Sequence, residues 1–243
     1  MSDPAFILIE PQMGENIGAA ARGMWNFGLR HMRITSPRDG WPNPKAVAMA
    51  SGAGSLLDEA MVVGSTAEAV ADINYLYATT ARPREMTKTV FTPEGAARDM
   101  AARIASGEKV GILFGPERAG LANEDVVRAN AMITVPVNPK FSSLNLAQCV
   151  LLMAYEWRRQ ADETPAESYQ TGKSELAAAK DVDHLIEHLI GELDQAGFFF
   201  PATKRESMVT NLANLYRRTP LTDQDVRTLR GVIKALAQKR LTS

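Results

Sequence analysis

The sequence predicts an α/β fold, in which helices flank a parallel sheet, followed by a small all-helical domain. Two observations carry this prediction. Across the first 160 residues, short apolar runs alternate with segments of helical periodicity, a pattern typical of parallel sheets covered on both faces. After a polar stretch that contains Pro165 and Gly172, only helical segments follow. We therefore expect a domain over residues 1–160, a linker over 161–180 and a helical domain over 181–243.

Strands and helices alternate along the predicted first domain. Apolar runs predict strands over residues 6–9, 32–35, 61–63, 75–79, 110–114 and 132–135. Helices are predicted over residues 16–27, from 65, over 93–106, from 123 and over 144–159. Asn16 is expected to cap the first helix, which Gly28 ends, and Ser65 with Glu68 forms a capping box. Ligands of parallel sheets bind beyond the carboxyl ends of the strands, so the candidate binding loops follow residues 10, 35, 79, 114 and 135.

The predicted second domain consists of three helices. They are expected over residues 181–196, 204–217 and 223–241. Thr203 and Glu206 form a capping box for the second of these helices, and Thr222 is the expected start of the third.

Basic residues are concentrated near the end of the chain. The net charge of the whole chain is −1, which by itself does not indicate nucleic-acid binding. From residue 201 onward, however, basic residues outnumber acidic ones, and the basic set includes Arg217, Arg218, Arg227 and Arg230. These helices either present a phosphate-binding face or a solvated surface, and charge alone leaves both interpretations open.

Composition excludes several classes of protein. Apolar residues make up 45% of the chain and charged residues 23%, as in globular proteins with a core. No apolar run approaches the roughly 18 residues that span a bilayer, and no basic segment precedes an N-terminal apolar run, so neither a membrane span nor a signal peptide is expected. Cys149 is the only cysteine, which agrees with a cytoplasmic location. His184 and His188 lack a third ligand, so no metal site is expected.

The segment Gly115–Leu121 is the first candidate site. It follows an apolar strand and precedes a helix, and its glycines allow backbone to approach a ligand. It matches neither the P-loop nor the dinucleotide-binding fingerprint. A tight turn without a ligand is the alternative interpretation.

The segment Asn16–Arg22 is the second candidate. Its small residues predict a helix start that packs closely on a neighbour. Arg22 lies among small and apolar residues, where a charged side chain needs a partner. That partner is either a structural carboxylate or a bound anion such as phosphate.

Two further segments contain hydroxyl and amide groups. In Phe141–Gln148, Ser142 and Ser143 are expected to cap a helix, and the free N–H groups of its first turn suit a polar ligand. No histidine lies at a spacing that suggests a serine nucleophile. Thr79–Arg84 ends a strand at the expected ligand edge and contains two hydroxyls and two guanidiniums, although a solvated turn would look the same.

Taken together, these segments resemble the SPOUT methyltransferases, the trefoil-knotted class. The resemblance rests on the order of Asn16-x-Gly18-x3-Arg22, Gly115-Pro116-Glu117-Arg118-x-Gly120-Leu121 and Ser143-Leu144-Asn145-Leu146-Ala147, and it covers residues 5–160. With Thr79-Thr80-Ala81-Arg82 and the helical domain, nearly the whole chain is similar to one subgroup, the bacterial tRNA (cytidine/uridine-2′-O)-methyltransferases.

This resemblance implies a fold, a reaction and a set of site residues. It implies a trefoil knot near the end of the first domain, a homodimer with shared active sites, and methyl transfer from S-adenosylmethionine to tRNA, at a cytidine or uridine at position 32 of the anticodon loop. The implied cofactor-binding residues are Thr79, Thr80, Ala81, Gly115, Val135, Ser142, Ser143, Leu144 and Asn145. The implied catalytic residues are Arg22 and Ser143. The RNA-binding set comprises Asn16, Arg22, Arg82, Arg84, Arg118, Arg217, Arg218, Arg227 and Arg230.

The chemistry assigns roles to only some of these residues. A guanidinium stays protonated, so Arg22 is expected to hold a phosphate or orient the ribose hydroxyl rather than act as a base. Ser143 is expected to bind the nucleotide or relay the proton, while the base itself stays open, with an RNA phosphate as a candidate. Residues 12–15 depart from the family pattern, which leaves substrate preference open. The alternatives are the same chemistry on another RNA, such as rRNA, a non-catalytic RNA-binding module, and a nucleotide-binding protein without RNA.

Overall fold

A computed structural model describes residues 3–81 and 86–241, with side chains described up to residue 238. The chain divides into two compact units, Met1–Thr164 and Pro165–Ser243. Each unit is treated by itself below. No helix in the described residues is both long enough and apolar enough to cross a membrane.

The described residues of the first unit form a parallel sheet of seven strands, which confirms the predicted α/β class. The strands are β1 (Ala5–Ile9), β2 (Met32–Thr35), β3 (Met61–Val63), β4 (Tyr75–Thr79), β5 (Thr89–Phe91), β6 (Val110–Phe114) and β7 (Ala131–Ile133). Their order in the sheet is β3-β2-β1-β6-β4-β7-β5, and every described pairing is parallel. All carboxyl ends therefore lie at one edge, where ligands of such sheets bind.

Helices cover both faces of this sheet. They are α1 (Gly14–Asn26), α2 (Pro44–Ala50), α3 (Gly54–Asp58), α4 (Thr66–Ala69), α5 (Pro93–Ala105), α6 (Asn123–Arg128) and α7 (Leu146–Arg159). Alternate residues of β1 enter two different cores: Phe6 and Leu8 belong to the larger one, and Ile7 and Ile9 to the smaller. Burial on both faces explains why β1 is a continuous apolar run rather than an alternating one.

Two predicted helix caps in the first unit are wrong. Helix α1 begins at Gly14, so Asn16 lies inside the helix, and its side chain is used for a distant contact instead. Helix α7 is capped by Asn145, whose Oδ1 accepts hydrogen bonds from the N–H groups of Ala147 (2.9 Å) and Gln148 (3.3 Å). Because the Asn145 carboxamide already caps the N-terminus of α7, Ser142 and Ser143 precede the helix without capping it.

Other local predictions are confirmed. Ser65 caps α4, because its Oγ accepts from the Glu68 N–H (3.3 Å) and donates to Glu68 Oε1 (2.7 Å). Gly28 follows α1 with φ +78°, a conformation that favours glycine.

The second unit contains α8 (Ala179–Gln195), α9 (Arg205–Arg217) and α10 (Asp223–Leu241). Leu185, Val226 and Ile233 form its small core. Thr222 and Asp225 bond reciprocally at the start of α10, as expected there. The Thr203 capping box is wrong, because a short 3-10 turn over Ala202–Lys204 leads directly into α9 and no side chain caps that helix.

Candidate functional site

A cavity of about 180 Å³ opens at the carboxyl edge of the sheet in the first unit. Its lining comes from the residues that follow β4, β6 and β7 and from the segment that leads into α7. Three of the five loops expected from the sequence to bind ligand therefore meet at one place.

The loop after β6 wraps around one side of this cavity. A Cβ added to Gly115 would lie 2.3 Å from the backbone nitrogen of Leu121, so only glycine lets the loop close at that point. Gly120 has φ +66°, and its N–H donates to the Pro116 carbonyl oxygen at 2.9 Å. The glycines at both ends of the motif are thus required by the loop itself.

Glu117 joins this loop to the start of α1. Its carboxylate accepts hydrogen bonds from the Gln12 N–H (2.8 Å), the Met13 N–H (3.3 Å) and Asn16 Nδ2 (2.7 Å). Asn16 Oδ1 in turn accepts from Asn145 Nδ2 at 2.9 Å, and Asn145 caps α7. A continuous chain of hydrogen bonds therefore connects the three motifs that carry the family resemblance.

The floor of the cavity is fixed by bonds among the strand ends. Thr79 Oγ1 donates to the Leu113 carbonyl oxygen at 2.9 Å, and Thr134 Oγ1 donates to the Thr80 carbonyl oxygen at 3.1 Å. Cys149, one turn into α7, also lines the cavity and contacts the Thr79 hydroxyl. Burial raises the pKa of its thiol to about 11, so the thiol is neutral at physiological pH.

Most of the residues expected to bind a cofactor line this cavity. They are Thr79, Thr80, Ala81, Gly115, Val135, Ser142, Ser143 and Leu144. Arg118, expected to bind RNA, lies at the cavity as well, and its side chain is exposed. Asn145 and Asn16 are not part of the lining and act through Glu117 instead.

Arg22 lies on α1 and does not line the cavity of its own chain. Its side chain is exposed, contrary to the expectation that small and apolar neighbours surround it. Within residues 3–81 and 86–241, no carboxylate pairs with it. The structural ion pair considered from the sequence is therefore absent from the described part of the chain, and its guanidinium is accessible to a ligand.

The remaining RNA-binding candidates differ in how they are paired. Arg82 and Arg84 lie outside the described residues. In the second unit, Arg217 Nη2 contacts Asp183 Oδ1 at 2.6 Å and Arg227 Nη2 contacts Asp223 Oδ2 at 2.6 Å. Arg218 and Arg230 are exposed, and no ion pair engages either of them among the described residues.

Sequence reasoning missed several residues of the site. Gln12 and Met13 hold the Glu117 carboxylate through their backbone N–H groups, which no side-chain pattern could reveal. Cys149 was used only as an indication of location, although its spacing of three from Leu146 places both residues on the α7 face that lines the cavity. In the described part of the chain, no group of three or more histidine, cysteine or acidic side chains could hold a metal ion.

Comparisons with known proteins identify the family of the chain. The model of the SpoU rRNA Methylase family matches residues 3–155. The chain belongs to the SpoU methylase family. A second family model, the C-terminal domain of tRNA methyltransferase TrmJ, matches residues 180–243. The resemblance seen in the sequence motifs is thereby confirmed.

Two curated SpoU relatives match over nearly their full length. The tRNA (cytidine/uridine/adenosine-2′-O-)-methyltransferase TrmJ of Pseudomonas aeruginosa is 32% identical over 93% of this chain and 91% of its own. The tRNA (cytidine/uridine-2′-O-)-methyltransferase TrmJ of Pectobacterium atrosepticum is 31% identical over 95% of each chain.

Solved structures of SpoU proteins share the fold. The crystal structure of TrmJ from Z. mobilis is 48% identical, with a TM-score of 0.84 over 97% of this chain and 99% of that one. The SpoU methyltransferase AviRb from Streptomyces viridochromogenes, solved in complex with the cofactor AdoMet, is 22% identical, with a TM-score of 0.52 over 66% of this chain and 59% of that one. The second match supports the fold alone.

Proposed function

We propose that this protein transfers a methyl group from S-adenosylmethionine to a ribose 2′-hydroxyl of tRNA. The observation that carries the proposal is that two of the three SpoU motifs line one cavity, and that the third, Asn16–Arg22, is tied to both by the Glu117–Asn16–Asn145 chain of hydrogen bonds. Relatives that match nearly the whole chain are named as tRNA 2′-O-methyltransferases. We further propose a cytidine or uridine at position 32 of the anticodon loop as the target, and the cytoplasm as the location.

The chemistry of the cavity fits this cofactor. Apolar side chains of Val135 and Leu144 lie beside the hydroxyls of Ser142 and Ser143, a combination that suits an adenosine with its ribose. When bound, S-adenosylmethionine supplies a methyl group that its sulfonium already activates, so the reaction needs no metal. The side chains of this cavity would hold the cofactor and orient its methyl group, and such positioning is the main requirement for an in-line transfer.

Arg22 and Ser143 are the residues that we place at the reacting groups. Arg22 is exposed and free of carboxylate partners among the described residues, so its guanidinium can hold an RNA phosphate or orient the 2′-hydroxyl. Ser143 lies at the cavity with its side chain exposed, so its hydroxyl can hydrogen-bond the nucleotide or pass on its proton.

We propose that two copies form the active enzyme, with Arg22 of one copy beside the cavity of the other. Arg22 does not line the cavity of its own chain, which supports this arrangement. Large apolar side chains on α1 and α7 are partly exposed and offer a surface for a partner: Trp25 (39%), Leu151 (42%), Leu152 (37%) and Tyr155 (48%). Two-fold dimers are the commonest oligomers.

Methyl transfer from radiolabelled S-adenosylmethionine to unmodified bulk tRNA tests the reaction. We expect label in a 2′-O-methyl nucleotide of the anticodon loop, identified by nuclease mapping, and a loss of at least tenfold in the Arg22→Ala variant. Arg98→Ala, on the exposed surface of α5, is the matched control and is expected to retain full activity. Label in rRNA but not in tRNA would show that the substrate is another RNA. Cofactor binding without methyl transfer to either RNA would indicate a non-catalytic binding module.

Mixed dimers test whether the site is shared. Arg22→Ala and Gly115→Val each disable one half of the proposed site, so each alone is expected to be inactive. If Arg22 acts on the partner's cavity, unfolding and refolding the two variants together restores activity at one site of each mixed dimer. If mixing restores nothing although mixed dimers form, Arg22 acts within its own chain.

A further inference from the structure

The second unit contains a groove of about 420 Å³ that the proposed reaction does not use. Its apolar part consists of Phe198, Met208, Leu212 and Leu215. Helix α9, which contributes three of these, has no buried residue at all, and Leu215 and Phe198 are 45% and 49% exposed. Within the described residues of this unit, the groove is therefore an apolar surface that no other side chain covers.

Polar side chains stand beside these apolar residues. Asn211, Asn214 and Arg218 line the groove from the same helix and its end. None of the three side chains has a hydrogen bond or ion pair among the described residues. Among the described residues no carboxylate lines the groove, and Arg218 is the charged residue in that lining.

Phe198, the aromatic residue of the groove, packs against residues that do not line the groove. Phe199 packs edge-on against Phe198, with ring centroids 5.4 Å apart. The Arg205 guanidinium lies 5.3 Å from the Phe199 ring, and Arg205 Nε donates to Asp194 Oδ1 at 3.0 Å. The Phe198 ring is thus supported before any ligand binds, which lowers the entropy cost of binding.

We propose that this groove binds an unpaired nucleotide of the RNA substrate. The base packs on Phe198 and the leucines, the carboxamides of Asn211 and Asn214 bond to its polar edge, and Arg218 pairs with a phosphate. Aromatic stacking combined with amide contacts and one cation is how proteins recognise single-stranded RNA. An apolar protein segment would fill the apolar part but would leave the two carboxamides without hydrogen-bond partners and Arg218 without an anion, whereas one nucleotide supplies both a polar base edge and a phosphate. The proposal rests on the proposed function, because it takes the substrate to be RNA.

Steady-state methylation and tRNA binding by the full chain test this groove. In Phe198→Ala, we expect the KM for unmodified tRNA and the dissociation constant from fluorescence anisotropy to rise about fivefold or more, because a stacked base is lost. We expect kcat at saturating tRNA to be unchanged, because the cavity in the first unit is intact. The slope of affinity against salt should also stay the same, because stacking releases no counterions, whereas Arg218→Ala should reduce that slope.

Phe200→Ala is the matched control, because Phe200 is 84% exposed and does not line the groove. A rise in KM with Phe198→Ala but not with Phe200→Ala supports the proposal, provided that circular dichroism shows an unchanged helix content. Equal effects of both variants, or no effect of either, would overturn it. So would a change in sedimentation coefficient of Phe198→Ala at unchanged tRNA affinity, because the groove would then contact protein. If the wild type does not methylate tRNA, the proposed reaction is refuted. The tRNA affinities from anisotropy would then still test whether the groove binds RNA.

Discussion

Glu117 connects segments that are more than 100 residues apart in the chain. Its two oxygens accept from Gln12 and Met13 N–H groups and from the Asn16 carboxamide. Glu117 also lines the cavity, so this one residue contributes to the cavity and, through its carboxylate, holds the entry of the chain into α1. Hydrogen bonds to a charged acceptor are among the stronger ones in proteins.

Replacing Glu117 by Gln is expected to destabilise the start of α1 and to weaken cofactor binding in the cavity. One oxygen becomes an NH₂ group that faces N–H donors, so at least one of the three bonds is lost. We expect the free energy of unfolding to fall by about 1.5–3 kcal/mol. Urea titration followed by tryptophan fluorescence measures this in the first unit, because all three tryptophans, Trp25, Trp41 and Trp157, lie there. Calorimetry with S-adenosylmethionine should show weaker binding.

Glu124→Gln is the control for this substitution. Glu124 lies in the first turn of α6, is exposed, and does not line the cavity. It is expected to alter stability by less than about 0.5 kcal/mol, the usual range for surface substitutions. If Glu117→Gln behaves like this control in both measurements, the hydrogen-bond chain does not organise the site.

Residue types predicted the site better than they predicted its contacts. Hydroxyls and glycines at strand ends identified the cavity lining, because parallel topology places those ends together. The roles of Asn16 and Asn145 could not be predicted from residue type and position in the sequence. Either residue can cap a helix or make a long-range bond, and only the folded chain decides between the two uses.

At the scale of whole elements, apolar runs and capping residues predicted most strands and helices, whereas β5, α2 and α3 were not predicted. β6 is buried at every position and gives an unambiguous apolar run. β5 has three residues, two of them exposed, and was not predicted, because tertiary pairing rather than an apolar run defines it; β3 is equally short, yet its apolar run predicted it at its observed bounds. Helices α2 and α3 have five to seven residues, too few for a reliable periodic signal, and Asn43 rather than an amphipathic pattern starts α2.

The contact between α1 and α2 depends on a glycine. A Cβ added to Gly18 would lie 2.1 Å from the Ala46 carbonyl oxygen and 2.8 Å from Met49 Cβ. Backbone cannot give way like a flexible side chain, so the helices would have to separate. We expect Gly18→Ala to lower the free energy of unfolding by about 1–3 kcal/mol, measured by urea titration and tryptophan fluorescence.

Gly54→Ala provides the comparison within the same unit. Gly54 opens α3 with helical dihedral angles and has open space around its missing Cβ. Alanine there should leave stability unchanged or raise it by up to about 1 kcal/mol, because it restricts the unfolded chain. Equal effects of the two substitutions would show that the helices are not in the close contact described.

For the molecule as a whole, the net charge is a poor indicator of RNA binding. The ion pairs that each arginine makes are a better one. The chain has a net charge of −1, yet the second unit presents several arginines. Asp183 and Asp223 engage Arg217 and Arg227, whereas Arg218 and Arg230 have no ion-pair partner among the described residues. A guanidinium already paired must give up its carboxylate to bind a phosphate, so the arginines differ in what they can contribute to binding.

Two double variants with equal loss of charge separate these groups. We expect Arg218→Ala with Arg230→Ala to reduce the slope of log affinity for tRNA against log salt by roughly 1.5, the value for two lost phosphate contacts. Arg217→Ala with Arg227→Ala removes the same charge but also frees two carboxylates, and it should change the slope by less than half as much. Fluorescence anisotropy between 50 and 200 mM salt measures both. Equal slopes for the two variants would mean that the ion pairs seen here open on RNA binding, and an unchanged slope in both would place the RNA elsewhere on the molecule.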